Sequence, residues 1–168
     1  MNKALKNLLK DVIKIEIDGI NSISDNLENT LGADLLNTID KIKSIKGNVI
    51  FCGLGKSGHI ANKISATMTS TGTPSIFLHA SEANHGDLGI IRKDDLLFLI
   101  SNSGETNELK NIITYAKNNQ IEVISLTSNE KSFISTNSDL SIVLPIHQEA
   151  YQNSLAPMTS TTMQLVIG

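Results

Sequence analysis

Five short apolar runs, each bounded by Gly, Pro, Asp or Ser, place the strongest constraint on how this 168-residue chain folds. The runs cover residues 49–52, 75–78, 96–100, 123–126 and 140–144. Runs of this length without polar alternation are typical of strands buried on both faces, as in a parallel sheet covered by helices. Helical patterns separate them, most clearly at residues 60–71 and 108–118. The sequence therefore predicts a doubly wound α/β fold, with ligands bound beyond the carboxyl ends of the strands.

Two amphipathic helices are predicted ahead of the first strand. The first is long and carries apolar residues at steps of three, four and seven, namely Leu5, Leu8, Leu9, Val12, Ile13, Ile20, Ile23 and Leu27. The second carries Leu35, Leu36, Ile39, Ile42 and Ile45. Gly47 is predicted to be the C-cap of this second helix. We interpret residues 1–46 as part of the same domain as the core at residues 47–168.

Apolar surface near both ends of the chain predicts self-association. The long first helix and the apolar helical run that ends at Gly168 would each leave an uncovered stripe. We therefore expect a homodimer or a homotetramer. The final run also stops without a cap or a polar tail, so we expect this chain to be cut from a longer protein.

Charge and composition exclude several classes of partner. The formal net charge is -3, and no Lys/Arg cluster exceeds a pair such as residues 92–93, which argues against a nucleic-acid partner. No apolar run approaches the roughly 18 to 20 residues of a membrane span, and the N-terminus lacks the features of a signal peptide. Cys52 is the only cysteine and lies in an apolar run, which predicts a buried thiol in a reducing cytoplasm.

A glycine loop at residues 53–58, with the sequence GLGKSG, follows the first predicted strand and precedes a helix. It satisfies the G-x-G-x-x-G pattern of dinucleotide sites, but Phe-Leu-His at residues 77–79 stands where an acidic residue would hold the ribose. A Walker A loop would need a glycine where the chain has Ile50. These departures disfavour a nicotinamide cofactor and nucleotide hydrolysis. What remains is an anion site at a helix N-terminus, beside Lys56 and Ser57.

A serine loop at residues 101–106, with the sequence SNSGET, follows the third predicted strand. Ser101, Ser103 and Thr106 place three hydroxyls around Gly104, and the next helix adds its unsatisfied N–H groups. This arrangement predicts a phosphate site with little fixed positive charge. The alternative is that these hydroxyls only cap the helix and shape the turn.

The sequence offers six acid and base candidates. They are Lys56, His79, His85, Glu105, Glu108 and Glu149. A structural role is the alternative for each histidine. The side chains of His79, Glu82, His85 and Asp87 offer a transition-metal alternative, but the spacing does not define a complete ligand set.

Several segments together resemble the sugar isomerase (SIS) domain of the D-arabinose 5-phosphate isomerases. They are residues 53–60, 71–74, 79, 82–83, 85–89, 101–106, 149–150 and 155–157. The resemblance covers residues 48–168 and implies a flavodoxin-like sheet of five parallel strands flanked by helices. It also implies the interconversion of D-ribulose 5-phosphate and D-arabinose 5-phosphate through an enediol, for the synthesis of 3-deoxy-D-manno-octulosonate in lipopolysaccharide or capsule.

The resemblance also assigns roles to single residues. It implies catalytic roles for Lys56, Glu108 and Glu149. It implies substrate contacts for Ser57, Gly72, Thr73, His79, His85, Ser101, Asn102, Ser103 and Thr106. It implies that no cofactor is required and that zinc is possible, since the position of His79 can carry zinc in some relatives. In the expected mechanism Glu108 removes the carbon-bound proton, Lys56 stabilises the enediolate, and His85 and Glu149 assist ring opening.

Three departures from the family pattern lead to further expectations. Met158 stands where the family has threonine, and neither the family's His-Pro-Gly-Gly segment nor its paired CBS domains occur in this chain. We therefore expect a truncated SIS domain whose binding site is more complete than its catalytic apparatus. Two alternatives stay open: a non-catalytic regulatory module that binds a phosphosugar, and an isomerase of another ketose phosphate.

Overall fold

All five apolar runs form strands of one parallel sheet in the computed structural model, which describes residues 3–150 and 156–168. The strands are β1 Val49–Gly53, β2 Ser75–His79, β3 Leu96–Ile100, β4 Glu122–Thr127 and β5 Leu140–Val143. The helices are α1 Lys3–Asp25, α2 Thr30–Ser44, α3 Gly55–Ser70, α4 Ala80–Asn84, α5 Asn107–Asn118, α6 Phe133–Asn137 and α7 Thr159–Ile167, with a 3-10 turn at Asp87–Ile90.

The strand order is β2-β1-β3-β4-β5, and every pair is parallel. This is the flavodoxin-like order, so the predicted fold class is confirmed. Every residue of β1 and β3 is buried, which explains why these runs lack polar alternation. Gly53 is aligned with His79 on one side and with Ile100 on the other, so three of the predicted site segments begin at the carboxyl edge of the sheet.

Helices cover both faces of the sheet. One core cluster joins β1, β3, β4 and β5 to side chains of α1, α2, α3 and α7. The other joins the opposite face to α4, α5 and α6. The helix after β1 therefore packs on one face and the helix after β3 on the other, which opens a crevice between these neighbouring strands at the carboxyl edge.

The two N-terminal helices differ from their predicted ends. Helix α1 ends at Asp25, so Leu27 lies beyond it. Helix α2 ends at Ser44 and the next residue is extended, so the prediction of Gly47 as the C-cap is wrong. Gly47 instead lies close to another segment: its amide donates to the Asp94 carbonyl at 3.0 Å, and a side chain there would overlap the Asp95 carboxylate.

The outer face of α1 carries an exposed apolar stripe. Only Gly19 and Ile23 of this helix are buried. The exposed apolar residues of α1 are Leu5, Leu8, Leu9, Ile13, Ile17 and Ile20. Within residues 3–150 and 156–168, no helix is both long enough and apolar enough to cross a membrane.

Candidate functional site

The glycine loop holds α3 tightly against the end of β1. A side-chain carbon at Gly58 would lie 2.9 Å from the Gly53 carbonyl oxygen, so only glycine permits this approach of helix to strand. Gly55 has φ +57 and turns the chain into the helix. Lys56 is exposed and Ser57 is half-buried in the first turn of α3. The loop therefore presents a helix N-terminus and one cation at the crevice.

Hydroxyl groups give the serine loop its shape. Ser101 is 4% exposed, and its Oγ lies 2.9 Å from Thr106 Oγ1 and accepts a hydrogen bond from the Gly104 amide at 3.2 Å. Ser103 is exposed, and its Oγ accepts only a long bond of 3.3 Å from the Glu105 amide. The structural alternative thus accounts for Ser101, whereas Ser103 is free to bind a ligand.

The serine loop leads directly into α5. The Leu109 amide donates to the Thr106 carbonyl at 3.1 Å, which leaves the amides of residues 107 and 108 without acceptors within the helix. Thr106 occupies the N-cap position without a side-chain capping bond. The N–H groups of this first turn and the helix dipole therefore face the same space as the Ser103 hydroxyl. Together these groups can bind a dianion without a buried cation.

Gly104 is the residue of the serine loop that packs against the segment following β4. It has φ +69, and its carbonyl accepts a hydrogen bond from the Ile134 amide at 3.1 Å. A side-chain carbon at this position would overlap Cβ and Oγ of Ser132 and lie 2.9 Å from Thr127 Oγ1. Both the backbone conformation and the lack of space require glycine.

Ser128 holds Asn102 in place from the neighbouring strand, a contact that the sequence analysis did not predict. The Ser128 hydroxyl donates to Asn102 Oδ1 at 2.6 Å, and its amide donates to the Asn102 carbonyl at 3.0 Å. With Oδ1 engaged, the Nδ2 group of Asn102 is the part of the side chain that remains to donate to a ligand. The sequence feature that could have indicated this contact is the position of Ser128 directly after the β4 run.

Glu105 points away from the crevice and anchors α6 instead. Its Oε1 accepts a hydrogen bond from the Phe133 amide at 2.8 Å, and its Oε2 lies 3.1 Å from Lys110 Nζ. The Phe133 amide and then Lys110 lower the pKa of this carboxyl. Glu105 is therefore a fixed anion that supports the loop, and the geometry does not support it as an acid or base.

Glu108 lies in the first turn of α5, and Asn84 ties this turn to α4. Nδ2 of Asn84 donates to the Glu108 carbonyl at 3.0 Å, and Oδ1 of Asn84 accepts from Asn111 Nδ2 at 3.0 Å. Glu108 thus lies next to the serine loop, as predicted. The two asparagines are positioning residues that the sequence analysis missed.

The two predicted histidines occupy the β2 side of the crevice. His79 is half-buried at the end of β2, and its Nδ1 is buried without a hydrogen-bond partner among the described residues. His85 is exposed after α4. No group of three His, Cys, Asp or Glu side chains within residues 3–150 and 156–168 is arranged to hold a metal ion. The described residues therefore contain no ligand cluster for the alternative metal site at residues 79–87.

Glu149 caps helix α7. Its Oε2 accepts a hydrogen bond from the Met158 amide at 2.8 Å, and its Oε1 accepts a weaker bond from the Ser160 amide at 3.3 Å. Burial raises the pKa of Glu149, but the Ser160 side chain, these two amides and His147 outweigh it and place the pKa below the ordinary value. These contacts favour the charged form of the Glu149 carboxylate, and its part in ring opening stays a prediction.

A histidine that the sequence analysis missed lies beside Glu149. His147 has a side chain that is 6% exposed, with Nε2 3.9 Å from Glu149 Oε1. A cavity of about 480 Å³ is bounded by Asn102, Ser128, Ile146, His147, Gln148, Glu149 and Pro157. Met158 is not among these residues, so the structure does not place its side chain in the wall of this cavity. Leu155 of the predicted 155–157 segment lies outside the described residues.

Gly72 and Thr73 lie at the opposite edge of the sheet. They precede β2, and the Pro74 carbonyl accepts a hydrogen bond from the amide of Val49 at the start of β1. The five residues of β2 lie between them and the carboxyl edge, so even Thr73 is six residue steps from His79, about 20 Å at the rise of an extended strand. Within one chain they do not meet the serine loop, so the predicted substrate contacts do not form a single cluster.

The amino-acid sequence of this chain is similar to those of curated arabinose 5-phosphate isomerases. Over 162 residues the chain is 42% identical to the arabinose 5-phosphate isomerase KdsD of Francisella tularensis, covering 94% of this chain and 48% of that protein. Over 130 residues it is 48% identical to the arabinose 5-phosphate isomerase KpsF of Escherichia coli O6:H1 strain CFT073, covering 77% of this chain and 40% of that protein. The chain thus spans about half the length, or less, of these curated relatives.

A solved structure shares the whole architecture. The structure of E. coli CFT073 c3406 in complex with arabinose 5-phosphate has a TM-score of 0.90 and 40% identity, covering 99% of this chain and 87% of that chain. The SIS domain family model matches residues 41–168, which include the entire sheet, the glycine loop and the serine loop. The chain therefore belongs to the SIS domain family.

Proposed function

We propose that this chain is the sugar-phosphate domain of an aldose-ketose isomerase that interconverts D-ribulose 5-phosphate and D-arabinose 5-phosphate. The observation that carries the proposal is the serine loop, whose free Ser103 hydroxyl and α5 amides meet at the crevice between β1 and β3. The names of the relatives support the choice of sugar, since KdsD and KpsF are both arabinose 5-phosphate isomerases. The phosphate binds at the serine loop and the sugar extends along the crevice.

Isomerisation moves a proton between two neighbouring carbons. Glu108 lies in the turn behind the phosphate and is the proposed base, which takes the proton from one carbon and returns it to the next. Lys56 projects from the first turn of α3 and is the proposed cation that stabilises the enediolate oxygen. The two groups come from helices on opposite faces of the sheet, so the crevice lies between them. This accounts for the presence of both the glycine loop and the serine loop in one chain.

We propose that the substrate contacts of Gly72 and Thr73 come from a second copy of the chain. Because these residues lie at the amino edge, they reach a sugar on the serine loop only from another protomer. The exposed apolar stripe on α1 supports self-association as a homodimer or a homotetramer. Sedimentation that shows only an 18.1 kDa species at micromolar concentration would contradict this part of the proposal.

Other parts of the expected biology remain predictions. We propose that the aldose phosphate supplies the synthesis of 3-deoxy-D-manno-octulosonate in the cytoplasm. Zinc is not required for the proposed enediol chemistry. His79 is the residue to change in a test of metal binding, since its Nδ1 is buried without a partner among the described residues.

The phosphate site is tested by calorimetry with arabinose 5-phosphate. Ser103→Ala removes a hydroxyl that bonds a dianion, and a hydrogen bond to a charged group is worth about 1.5 to 3 kcal/mol, so the Kd rises about 10-fold to 100-fold. Ser24→Ala is the matched control, because Ser24 is an exposed serine on α1. An unchanged Kd in Ser103→Ala would contradict the proposed site.

The isomerase assignment is tested separately from binding. Lys56→Ala should bind arabinose 5-phosphate with a similar Kd and should lose at least about 100-fold in isomerisation, because only the enediolate carries the extra negative charge. Full activity in Lys56→Ala would contradict the assigned role. Binding without any turnover in the unmodified chain would favour the regulatory phosphosugar module instead.

A further inference from the structure

The cavity beside the serine loop contains a histidine that the proposed isomerisation does not use. His147 and Glu149 form one wall, with side chains that are 6% and 13% exposed. Asn102 and Ser128 form another part of the wall. Because Asn102 belongs to both the serine loop and the cavity, the cavity adjoins the proposed phosphate site and lies within reach of a sugar held there. An imidazole in this position can exchange a proton with a sugar hydroxyl.

The backbone fixes which ring nitrogen of His147 is protonated. Nδ1 lies 3.0 Å from the Pro145 carbonyl oxygen. A carbonyl only accepts hydrogen bonds, so Nδ1 carries the proton and the neutral ring has its free lone pair on Nε2. Nε2 lies 3.9 Å from Glu149 Oε1, which is longer than a hydrogen bond. Nε2 is therefore the nitrogen that can accept a proton from a ligand.

Two acidic side chains lie around His147. Glu149 faces it from its own segment, and Asp18 of α1 lines a smaller cavity of about 170 Å³ that His147 also lines. Asn102 and Ser128, which face it from the serine loop and from the end of β4, are neutral. Among the described groups facing His147, both charged ones are therefore anions.

Glu149 itself does not carry the proton. The amides of Met158 and Ser160 occupy its two carboxylate oxygens, and these bonds would be lost or weakened if the carboxyl were protonated. The two residues therefore have different roles: Glu149 stays an anion at the start of α7, and His147 gains and releases the proton. This division differs from the expected pair of His85 and Glu149.

We infer that His147 is the proton carrier for opening the sugar ring, a step that rests on the proposed function. Nε2 takes the proton of the anomeric hydroxyl, the O–H electron pair forms the C1 carbonyl, and the bond from C1 to the ring oxygen breaks. A water molecule protonates the ring oxygen, and the hydroxide that results takes the proton from the His147 imidazolium. The imidazole and one water are restored, so the step is a net conversion of the cyclic sugar to its open aldehyde.

Ring opening can be measured without isomerisation, because it also interconverts the two anomers. Exchange spectroscopy on ¹³C1-labelled arabinose 5-phosphate gives the rate of exchange with and without the chain. The unmodified chain should accelerate exchange, and His147→Gln should lower the protein-dependent rate about 100-fold, as expected for loss of a positioned base. His147→Asn keeps a donor near Pro145 but also lacks a titrating nitrogen, so it should show the same loss with a Kd within about threefold of the unmodified chain.

Two controls separate this inference from the proposed function. His59→Gln changes an exposed histidine on α3 and should leave exchange unaltered. Lys56→Ala should lose isomerisation but keep anomer exchange. Equal exchange rates in the unmodified chain and in folded His147→Asn would overturn the inference, as would the absence of acceleration in an unmodified chain that binds the sugar. Failure of the unmodified chain to bind arabinose 5-phosphate would overturn the proposed function.

Discussion

Replacement of Gly104 by alanine tests whether the serine loop is held by steric fit against the segment after β4. The structure predicts two separate costs. A residue with a side chain is destabilised by about 1 to 2 kcal/mol in the left-handed backbone conformation found at φ +69. Overlap of the new methyl group with Ser132 costs about 1 to 3 kcal/mol, typical of an overpacked site. We therefore expect Gly104→Ala to lower the free energy of unfolding by roughly 2 to 5 kcal/mol.

Two further variants separate the costs. Gly55→Ala is the control for backbone strain, because Gly55 has φ +57 and open space around the position of a new methyl group. It should lose only about 1 to 2 kcal/mol. Ser132→Gly removes the atoms that the new methyl group would overlap, and glycine at an N-cap costs only about a few tenths of a kcal/mol. The double variant Gly104→Ala/Ser132→Gly should therefore recover about 1 to 3 kcal/mol relative to Gly104→Ala.

The assay is urea unfolding followed by circular dichroism. With an m-value of about 2 kcal/mol/M, the Gly104→Ala midpoint should fall by about 1 to 2.5 M. The steric explanation is refuted if Gly104→Ala and Gly55→Ala lose the same free energy, or if Ser132→Gly restores none of the loss. Affinity for arabinose 5-phosphate should fall in Gly104→Ala and recover in the double variant, because the same packing places the Ser103 hydroxyl.

Three further predictions concern single side chains. Asp95 is 3% exposed and accepts hydrogen bonds from the Asn48 and Arg92 amides at 2.7 Å each. Asp95→Ala should therefore lower the free energy of unfolding, measured in urea, by about 2 to 4 kcal/mol. Asp94→Ala, at an exposed position, should change it by less than about 0.5 kcal/mol. The pKa of Glu149 is lowered on folding, so its carboxylate stabilises the fold above its ordinary pKa and this contribution is lost as the pH falls through the lowered value. Glu149→Gln should therefore have a lower urea midpoint than the unmodified chain at pH 7, and a difference that persists undiminished at pH 3 would refute this assignment. Burial raises the pKa of Cys52 to about 12, so a disulfide reagent at pH 8 should react with one thiol per chain only after unfolding; rapid reaction of the folded chain would show that the thiol is accessible.

The sequence alone was sufficient to predict the sheet and most of the helices. Strands buried on both faces need continuous apolar runs, and helices on a sheet need apolar residues at helical spacing. The local sequence pattern therefore indicates which residues are buried. The five strands lie where these runs predicted them. The prediction that Gly47 is a C-cap was wrong. A glycine is needed there because the backbone passes close to residues 94–95, which are distant in sequence. The short helices α4 and α6 were missed, since five residues are too few to show a period.

For the candidate site, the sequence determined the chemistry of the loops and the tertiary structure decided which groups meet. The serine loop and the glycine loop were recognisable because a tight turn before a helix has local requirements for glycine and hydroxyl residues. The separation of Gly72 from the serine loop depends on strand direction, which places one end of β2 at each edge of the sheet. The capping of α7 by Glu149 and the approach of His147 to it depend on how the segment after β5 packs. A local pattern records whether a residue is buried, but hydrogen bonds and charges act through space, so only the assembled fold shows which residues act together.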